Sequence, residues 1–306
     1  MKTFISFILA VVLFIFVRVA FAHQPAGSLW FAYHWPDGKT PVLDGRLNEW
    51  ETIPDIYLIT MDQMGEQLTD LTSDPSDFNV RVWMSWNEFE NKMWFAAEVF
   101  DNVHNVDFTD PTLIWQNDDW EIMIDADHSG GQYNGWSGVT EERRMELSGR
   151  QAQQFILVYP PPSGLPAFQH YGTATFLNDR DPHRRPDLAD WAVSYEGDPR
   201  GEGTTRYEVM LALWDEIDWR GPEVSMRHIL KPYETIGIQF SFADFDRSST
   251  EYHAYWTLSR QERTFMFADR FTDVELIPLM ADSVSMGRTT TIEANTWGRI
   301  KAGFIR

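Results

Sequence analysis

Residues 115–125 read Trp-Gln-Asn-Asp-Asp-Trp-Glu-Ile-Met-Ile-Asp. From Trp120 onward, large apolar side chains fall on every second position, so Trp120, Ile122 and Ile124 should face one side of a β-strand. Glu121 then faces the opposite side of the same strand. This alternation is typical of an antiparallel sheet that buries one face against a core.

The same period of two recurs along the chain, between turn-forming Gly, Pro, Asn and Asp residues. The clearest runs are residues 80–84, 93–99, 120–124, 207–213 and 236–242, and weaker runs are residues 155–159, 192–195, 274–277 and 289–294. We therefore predict an all-β fold, an antiparallel β-sandwich of jelly-roll type with long loops.

Helical structure should be scarce, with at most one or two short helical turns. One such turn is expected at residues 214–217. Two segments, residues 130–149 and 160–186, lack a clear period and are predicted to be irregular. Loops of this length are often functional, although a surface loop also tolerates simple insertions at little cost.

The first 22 residues have the order of a secretory signal peptide. Lys2 supplies a positive charge, residues 4–17 are apolar apart from one Ser, and Ala20 and Ala22 fit the small-residue cleavage rule. We predict cleavage after Ala22, export to the periplasm or the medium, and no membrane attachment afterwards. Residues 23–306 show no linker and are predicted to form one domain, with a strand-like tail at residues 281–306.

The composition excludes several classes of function. The chain has no Cys, and therefore no thiolate for redox chemistry, zinc binding or nucleophilic catalysis. Its 25 Lys+Arg against 46 Asp+Glu give a net charge of −21, which becomes −23 once Lys2 and Arg18 are removed. Such a charge repels nucleic acids and anionic lipids and suits neutral ligands such as sugars, or divalent cations.

Three segments resemble the family 9 carbohydrate-binding modules. These are residues 41–50, which contain Asp44-Gly45 and Trp50, residues 93–101 followed by residues 115–125, and residues 255–256. Together they span roughly residues 40–280. The resemblance implies a β-sandwich that binds carbohydrate between two aromatic rings, without catalysis.

The residues around this motif favour a sugar site. Trp115 lies in an acidic loop, where it could stack on a pyranose while carboxylates such as Asp118 and Glu121 accept hydroxyl hydrogen bonds. Trp115 could equally fold back into the core. The resemblance implies that Trp115 and Trp256 are the two rings that clamp the sugar, because they match those rings by position. Either Trp256 or its neighbour Tyr255 is then the exposed ring opposite Trp115.

The chain departs from the family at two positions. Where the resemblance implies an Arg and an Asn near the reducing end of the sugar, this sequence has Ile156 and Val158. The class of carbohydrate therefore stays open, with plant- or algal-type polysaccharides and oligosaccharides as the expected ligands.

A second motif begins at the end of the same strand. Asp125, Asp127 and Ser129, followed by Gly130, begin like a calcium-binding loop of the EF-hand type. The twelfth position, however, is Trp136 instead of a bidentate Glu. The two interpretations are a structural Ca²⁺ site and a polar turn whose side chains bind backbone N–H groups.

The sequence contains no Gly-x-Ser-x-Gly nucleophile motif, no phosphate-binding loop and no His-Glu-x-x-His metalloprotease motif. We therefore expect a non-enzymatic binding protein that assists carbohydrate catabolism, with secreted glycoside hydrolases as possible partners. One alternative is a haem-binding domain of the related DOMON type, which would bind iron through Met, His or Lys. The positions of the candidate ligands disfavour it, because the His residues lie in predicted loops or at strand ends, and Met123 and Met210 lie on the predicted outer face. The other is a structural or adhesive surface protein.

Overall fold

The computed structural model describes residues 28–246 and 251–279. The predicted signal peptide, the tail at residues 281–306 and the predicted strand at residues 289–294 lie outside the described residues. The strands are β1 (Leu29–His34), β2 (Ile59–Thr60), β3 (Gly65–Glu66), β4 (Phe78–Asn87), β5 (Lys92–Asp101), β6 (Asp119–Asp125), β7 (Gln153–Leu157), β8 (Phe168–His170), β9 (Ala189–Gly197), β10 (Gly203–Leu211), β11 (Trp214–Glu216), β12 (Met226–Arg227), β13 (Thr235–Asp244), β14 (Ala254–Thr257) and β15 (Thr272–Leu276). The helix α1 spans Glu141–Leu147.

These strands form two layers that share β1. The front sheet has the order β8-β7-β6-β13, and β13 continues to β15 along its first half and to β14 along its second. The back sheet has the order β4-β5-β10-β9. β1 runs parallel to β15 over Leu29–Ala32 and parallel to β4 at Tyr33 and His34, so it passes from one sheet to the other.

The core lies between the two sheets and confirms the predicted alternation. Trp120 on β6 meets Tyr207 on β10 with ring centroids 5.8 Å apart, and Phe240 on β13 meets Phe95 on β5 at 5.9 Å. All four side chains are buried. The predicted all-β sandwich is therefore confirmed, with strands at each of the described alternating runs.

The segment after β1 covers the outer face of the back sheet and explains the Asp-Gly and Trp pattern near the N-terminus. The Glu208 carboxylate accepts hydrogen bonds from the backbone N–H of Asp44 and Gly45 at 2.9 and 2.8 Å and from Trp50 Nε1 at 2.9 Å. Gly45 has φ +75°, and a Cβ there would lie 2.9 Å from the Val193 carbonyl carbon. Only glycine fits this close approach.

Three local predictions were wrong, and one of them is the irregular segment at residues 160–186, which contains β8. The expected helical turn at residues 214–217 is the strand β11, because Trp214 pairs with Arg227 on β12 and buries its ring under the Arg227 guanidinium. The segment at residues 130–149, expected to be irregular, contains α1, which Thr140 caps by accepting from the Arg143 N–H. The helix α1 could not be predicted from the sequence, because none of its residues is buried and it therefore has no apolar stripe.

Within the described chain, no helix has the length and apolar character needed to cross a bilayer.

Candidate functional site

A cavity of about 700 Å³ opens on the outer face of the front sheet, opposite the core. Its walls combine aromatic rings with a few polar groups, which is the usual composition of a small-molecule site of 300–1,000 Å³. The lining residues are Gln67, Leu68, Trp115, Glu121, Asn134, Gly135, Gln154, Tyr171, Tyr252, Tyr255, Glu262, Arg263 and Phe265. We call this the aromatic cavity.

Glu121 lies at the wall formed by the sheet. Its outward direction on β6 confirms the predicted parity, but surrounding loops cover this face and leave Glu121 only 3% exposed. Its Oε2 accepts a hydrogen bond from Tyr255 Oη at 2.7 Å and another from Gln154 Nε2 at 3.1 Å. Burial raises the pKa of Glu121 to about 7, although both hydrogen bonds favour the carboxylate.

The strand register explains why Tyr255 reaches the cavity. Phe242 on β13 pairs with Trp120 on one side and Trp256 on the other, so these three residues form one row that points into the core. Tyr255 precedes Trp256 on β14 and therefore points outward. Burial raises the pKa of Tyr255 well above its usual value, so its hydroxyl stays protonated and donates to Glu121.

The structure does not bring Trp256 to the cavity. Its side chain is 5% exposed and belongs to the core between the sheets. The expectation that Trp256 forms one ring of an aromatic clamp is therefore corrected: Tyr255, the other residue named at this position, lines the cavity instead.

Trp115 lines the cavity, as its position in the loop before β6 predicted. The indole is half-buried, and its inner side packs against an apolar base that includes Ile156 and Val158. Trp115 Nε1 donates to the Thr112 carbonyl at 3.2 Å. Ile156 and Val158, the two departures from the family pattern, thus lie behind this ring as its support.

Tyr252 and Tyr171 supply further aromatic walls that the sequence did not single out. The Tyr252 ring lies 4.3 Å from Phe245 and 5.7 Å from Tyr255 in centroid distance. Tyr171 packs on the same apolar base as Trp115. No local pattern marks either residue, because each lies in a loop whose position depends on contacts that are distant in sequence.

Gln154 was also missed, although a signal for it exists. On β7, Phe155 and Leu157 enter the core, so Gln154 and Ile156 share the outward face with Glu121 of the neighbouring strand. Strand parity therefore identifies Gln154 as the polar side chain that β7 presents to the cavity.

Asp118 does not line the cavity. It is 5% exposed, and its carboxylate accepts the Phe245 N–H at 2.7 Å and the N–H of Asn105. Burial and the neighbouring Asp101 raise the pKa of Asp118 well above its usual value. Asp118 joins two loops to the end of β6 and lies beside Asp101, so its predicted place in the sugar site is corrected.

The turn after β6 has the hydrogen bonds of a polar turn. Asp125 Oδ2 accepts the Gly130 N–H at 2.7 Å, while Asp125 Oδ1 and Asp127 Oδ1 both lie 3.2 Å from the Ser129 nitrogen, which donates to them. These contacts account for the residue types without an ion. Calcium binding by Asp125, Asp127 and Ser129 stays a prediction.

Met123 and Met210 lie on the outer faces of their strands, and His34 and His170 lie at strand ends, as the sequence predicted. Met123 and Met210 are buried, because loops cover the outer faces of both sheets. His34 stacks on Trp86 at 4.2 Å and His170 is fully buried beside Phe155. Burial lowers the pKa of His170 to about 4.

The fold of this chain is similar to those of solved structures of carbohydrate-binding modules. A family 9 carbohydrate-binding module from Caldicellulosiruptor kristjanssonii in complex with cellotriose aligns with 14% identity and a TM-score of 0.49, over 86% of this chain and 100% of that one. A family 9 module from the same organism in complex with glucose aligns with 14% identity and a TM-score of 0.46, over 84% of this chain and 99% of that one. No protein family and no curated protein matches the chain.

Proposed function

We propose that this protein binds neutral carbohydrate, without catalysis, in the aromatic cavity. The observation that carries the proposal is the convergence of Trp115, Tyr252 and Tyr255 on one cavity with the buried carboxyl of Glu121. A pyranose ring can stack its C–H face on an aromatic ring and donate hydrogen bonds from its hydroxyls to a carboxylate, and this cavity offers both groups.

Each side chain has a distinct part in this proposal. Trp115 offers a ring whose back is supported by Ile156 and Val158, so it can stack on a sugar without rearranging the core. The Glu121 carboxyl accepts hydrogen bonds from Tyr255 and Gln154, which fix its orientation before a ligand binds. Pre-oriented groups of this kind lose little conformational entropy on binding.

Charge favours a neutral ligand over a polyanion. The chain carries a net charge of −21, and within the cavity the charges are those of Glu121, Glu262 and the cation Arg263. Alginate and polygalacturonate should therefore bind weakly compared with neutral glucans and xylans.

The test is a saccharide screen of the protein followed by calorimetric titration. Cello- and xylo-oligosaccharides come first, because glucose and cellotriose are the ligands in the similar structures. Trp115→Ala should weaken binding by about 1–3 kcal/mol, or roughly 5- to 150-fold in Kd. Phe89→Ala is the matched control, since Phe89 is an 81% exposed ring outside the cavity.

Equal affinity of wild type and Trp115→Ala for every bound saccharide would contradict the proposal. We further propose that the exported protein holds polysaccharide near secreted glycoside hydrolases and does not cleave it. Release of reducing ends from xylan or glucan by the purified protein, above a heat-inactivated sample, would exclude that role.

A further inference from the structure

A second pocket, of about 600 Å³, adjoins the aromatic cavity. The two share a border formed by Gln67, just after β3, and Glu262, in the loop after β14. The pairing of β3 with β14 brings these two segments together. We call the second one the polar pocket.

The polar pocket differs from the aromatic cavity in its chemistry. Four of its lining side chains are charged, the cations Arg260 and Arg270 and the anions Glu262 and Asp269, and their charges cancel. None of the four forms an ion pair with another residue that the structure describes. Their donors and acceptors are therefore left for a ligand or for water.

Backbone and packing contacts hold both guanidinium groups in place. Arg260 Nη2 donates to a backbone carbonyl at 3.1 Å, and the Arg260 stem crosses Gly65, where a Cβ would lie 2.5 Å from Arg260 Cγ. Arg270 Nη1 donates to the Glu262 carbonyl, and the guanidinium carbon lies 5.2 Å from the centroid of the Phe267 ring. A guanidinium has five N–H donors, so each of these groups keeps several for a ligand.

Sugar hydroxyls match this mixture of charged groups. A hydroxyl both donates and accepts hydrogen bonds, so neighbouring hydroxyls of one ring can bind a carboxylate and a guanidinium at the same time. An anionic ligand fits less well, because the carboxylates of Glu262 and Asp269 repel it. The polar pocket therefore suits a neutral ligand rich in hydroxyls.

We propose that the polar pocket is a second sugar-binding subsite, so that the ligand is an oligosaccharide chain that extends from the aromatic cavity across Gln67 and Glu262. This inference rests on the proposed function of the aromatic cavity. One unit of the chain stacks on Trp115, and a later unit binds Arg260 and Arg270 through its hydroxyls. The protein therefore prefers oligosaccharides that reach both pockets over monosaccharides and disaccharides.

The test is calorimetric titration of the protein with xylo- and cello-oligosaccharides of increasing length, from the monosaccharide to the hexasaccharide. Affinity should rise by roughly tenfold at the length that reaches the polar pocket and then level off, as expected for new hydrogen bonds to charged groups. Arg260→Gln and Arg270→Gln should each remove most of this gain and leave the affinity for the short saccharides unchanged. Arg46→Gln is the matched control and should keep the gain, since Arg46 is exposed like Arg260 but lies in the segment that covers the back sheet.

A wild-type affinity that does not change with length would overturn the inference, as would a length gain that persists in both arginine variants. In either case, short saccharides that still depend on Trp115 would leave the proposed function intact. Failure of every saccharide to bind would instead reject the proposed function and this inference with it. If Arg270→Gln does not fold because it loses its contact with Phe267, Arg260→Gln at an exposed position supports the same comparison.

Discussion

Replacing Trp256 by Ala tests whether its ring packs in the core, as the structure shows, or clamps a sugar, as the family resemblance implied. The indole is 5% exposed and lies in the row with Phe242 and Trp120 between the sheets. Truncating a buried Trp removes its transfer free energy and leaves a cavity, which costs about 3–5 kcal/mol of unfolding free energy. For a chain of this size the melting temperature should fall by about 6–20 °C.

Trp115→Ala should behave in the opposite way. Its ring is half-buried and rests on its base by one side, so truncation should cost no more than about half as much stability, in proportion to the smaller buried area. Sugar binding should instead weaken in this variant. Trp256→Ala, assayed well below its melting temperature, should retain most of its sugar affinity.

The assay is urea unfolding monitored by fluorescence and circular dichroism, beside calorimetric titration with the best saccharide from the screen. Trp219→Ala serves as the control for an exposed indole, since Trp219 is 44% exposed and outside the cavity. A Trp256→Ala protein that unfolds at the wild-type urea concentration but no longer binds sugar would refute the register argument.

Three other outcomes are expected. Burial raises the folded-state pKa of Glu121 to about 7, so between about pH 4.5 and 7 the folded protein holds more protons than the unfolded chain. The free energy of unfolding should therefore fall by about 3 kcal/mol as the pH rises through that range. Glu121→Gln should remove this fall, and a variant whose stability changes with pH as the wild type's does would contradict the prediction. Gly45→Ala should cost roughly 1–3 kcal/mol in urea unfolding, because φ is +75° and the new Cβ meets the Val193 backbone; an unchanged midpoint would show that the turn can adjust. Mass spectrometry of exported protein should find His23 at the N-terminus, and a chain that still starts at Met1 would contradict cleavage after Ala22.

Strand parity could be deduced from the sequence because it is a local property. Side chains alternate about each strand, so Trp120 and Ile122 had to oppose Glu121 whatever the rest of the chain does. The same reasoning placed strands β4, β5, β10 and β13. It failed where local pattern is weak: the exposed helix α1 has no apolar stripe, and β11 is a strand only because β12 pairs with it.

Tertiary structure decided which outward-facing residues form a site. Glu121 and Tyr255 are 134 residues apart in the chain, and only the pairing of β6 with β13 and of β13 with β14 brings their side chains to 2.7 Å. That pairing also sends Trp256 inward, since a shift of one residue on β14 would exchange the two faces. Likewise, Gln67 and Glu262 border both pockets only because β3 pairs with β14. The sequence determines the face of each strand through its own alternation, whereas register and loop packing, which depend on contacts between distant segments, determine what that face meets.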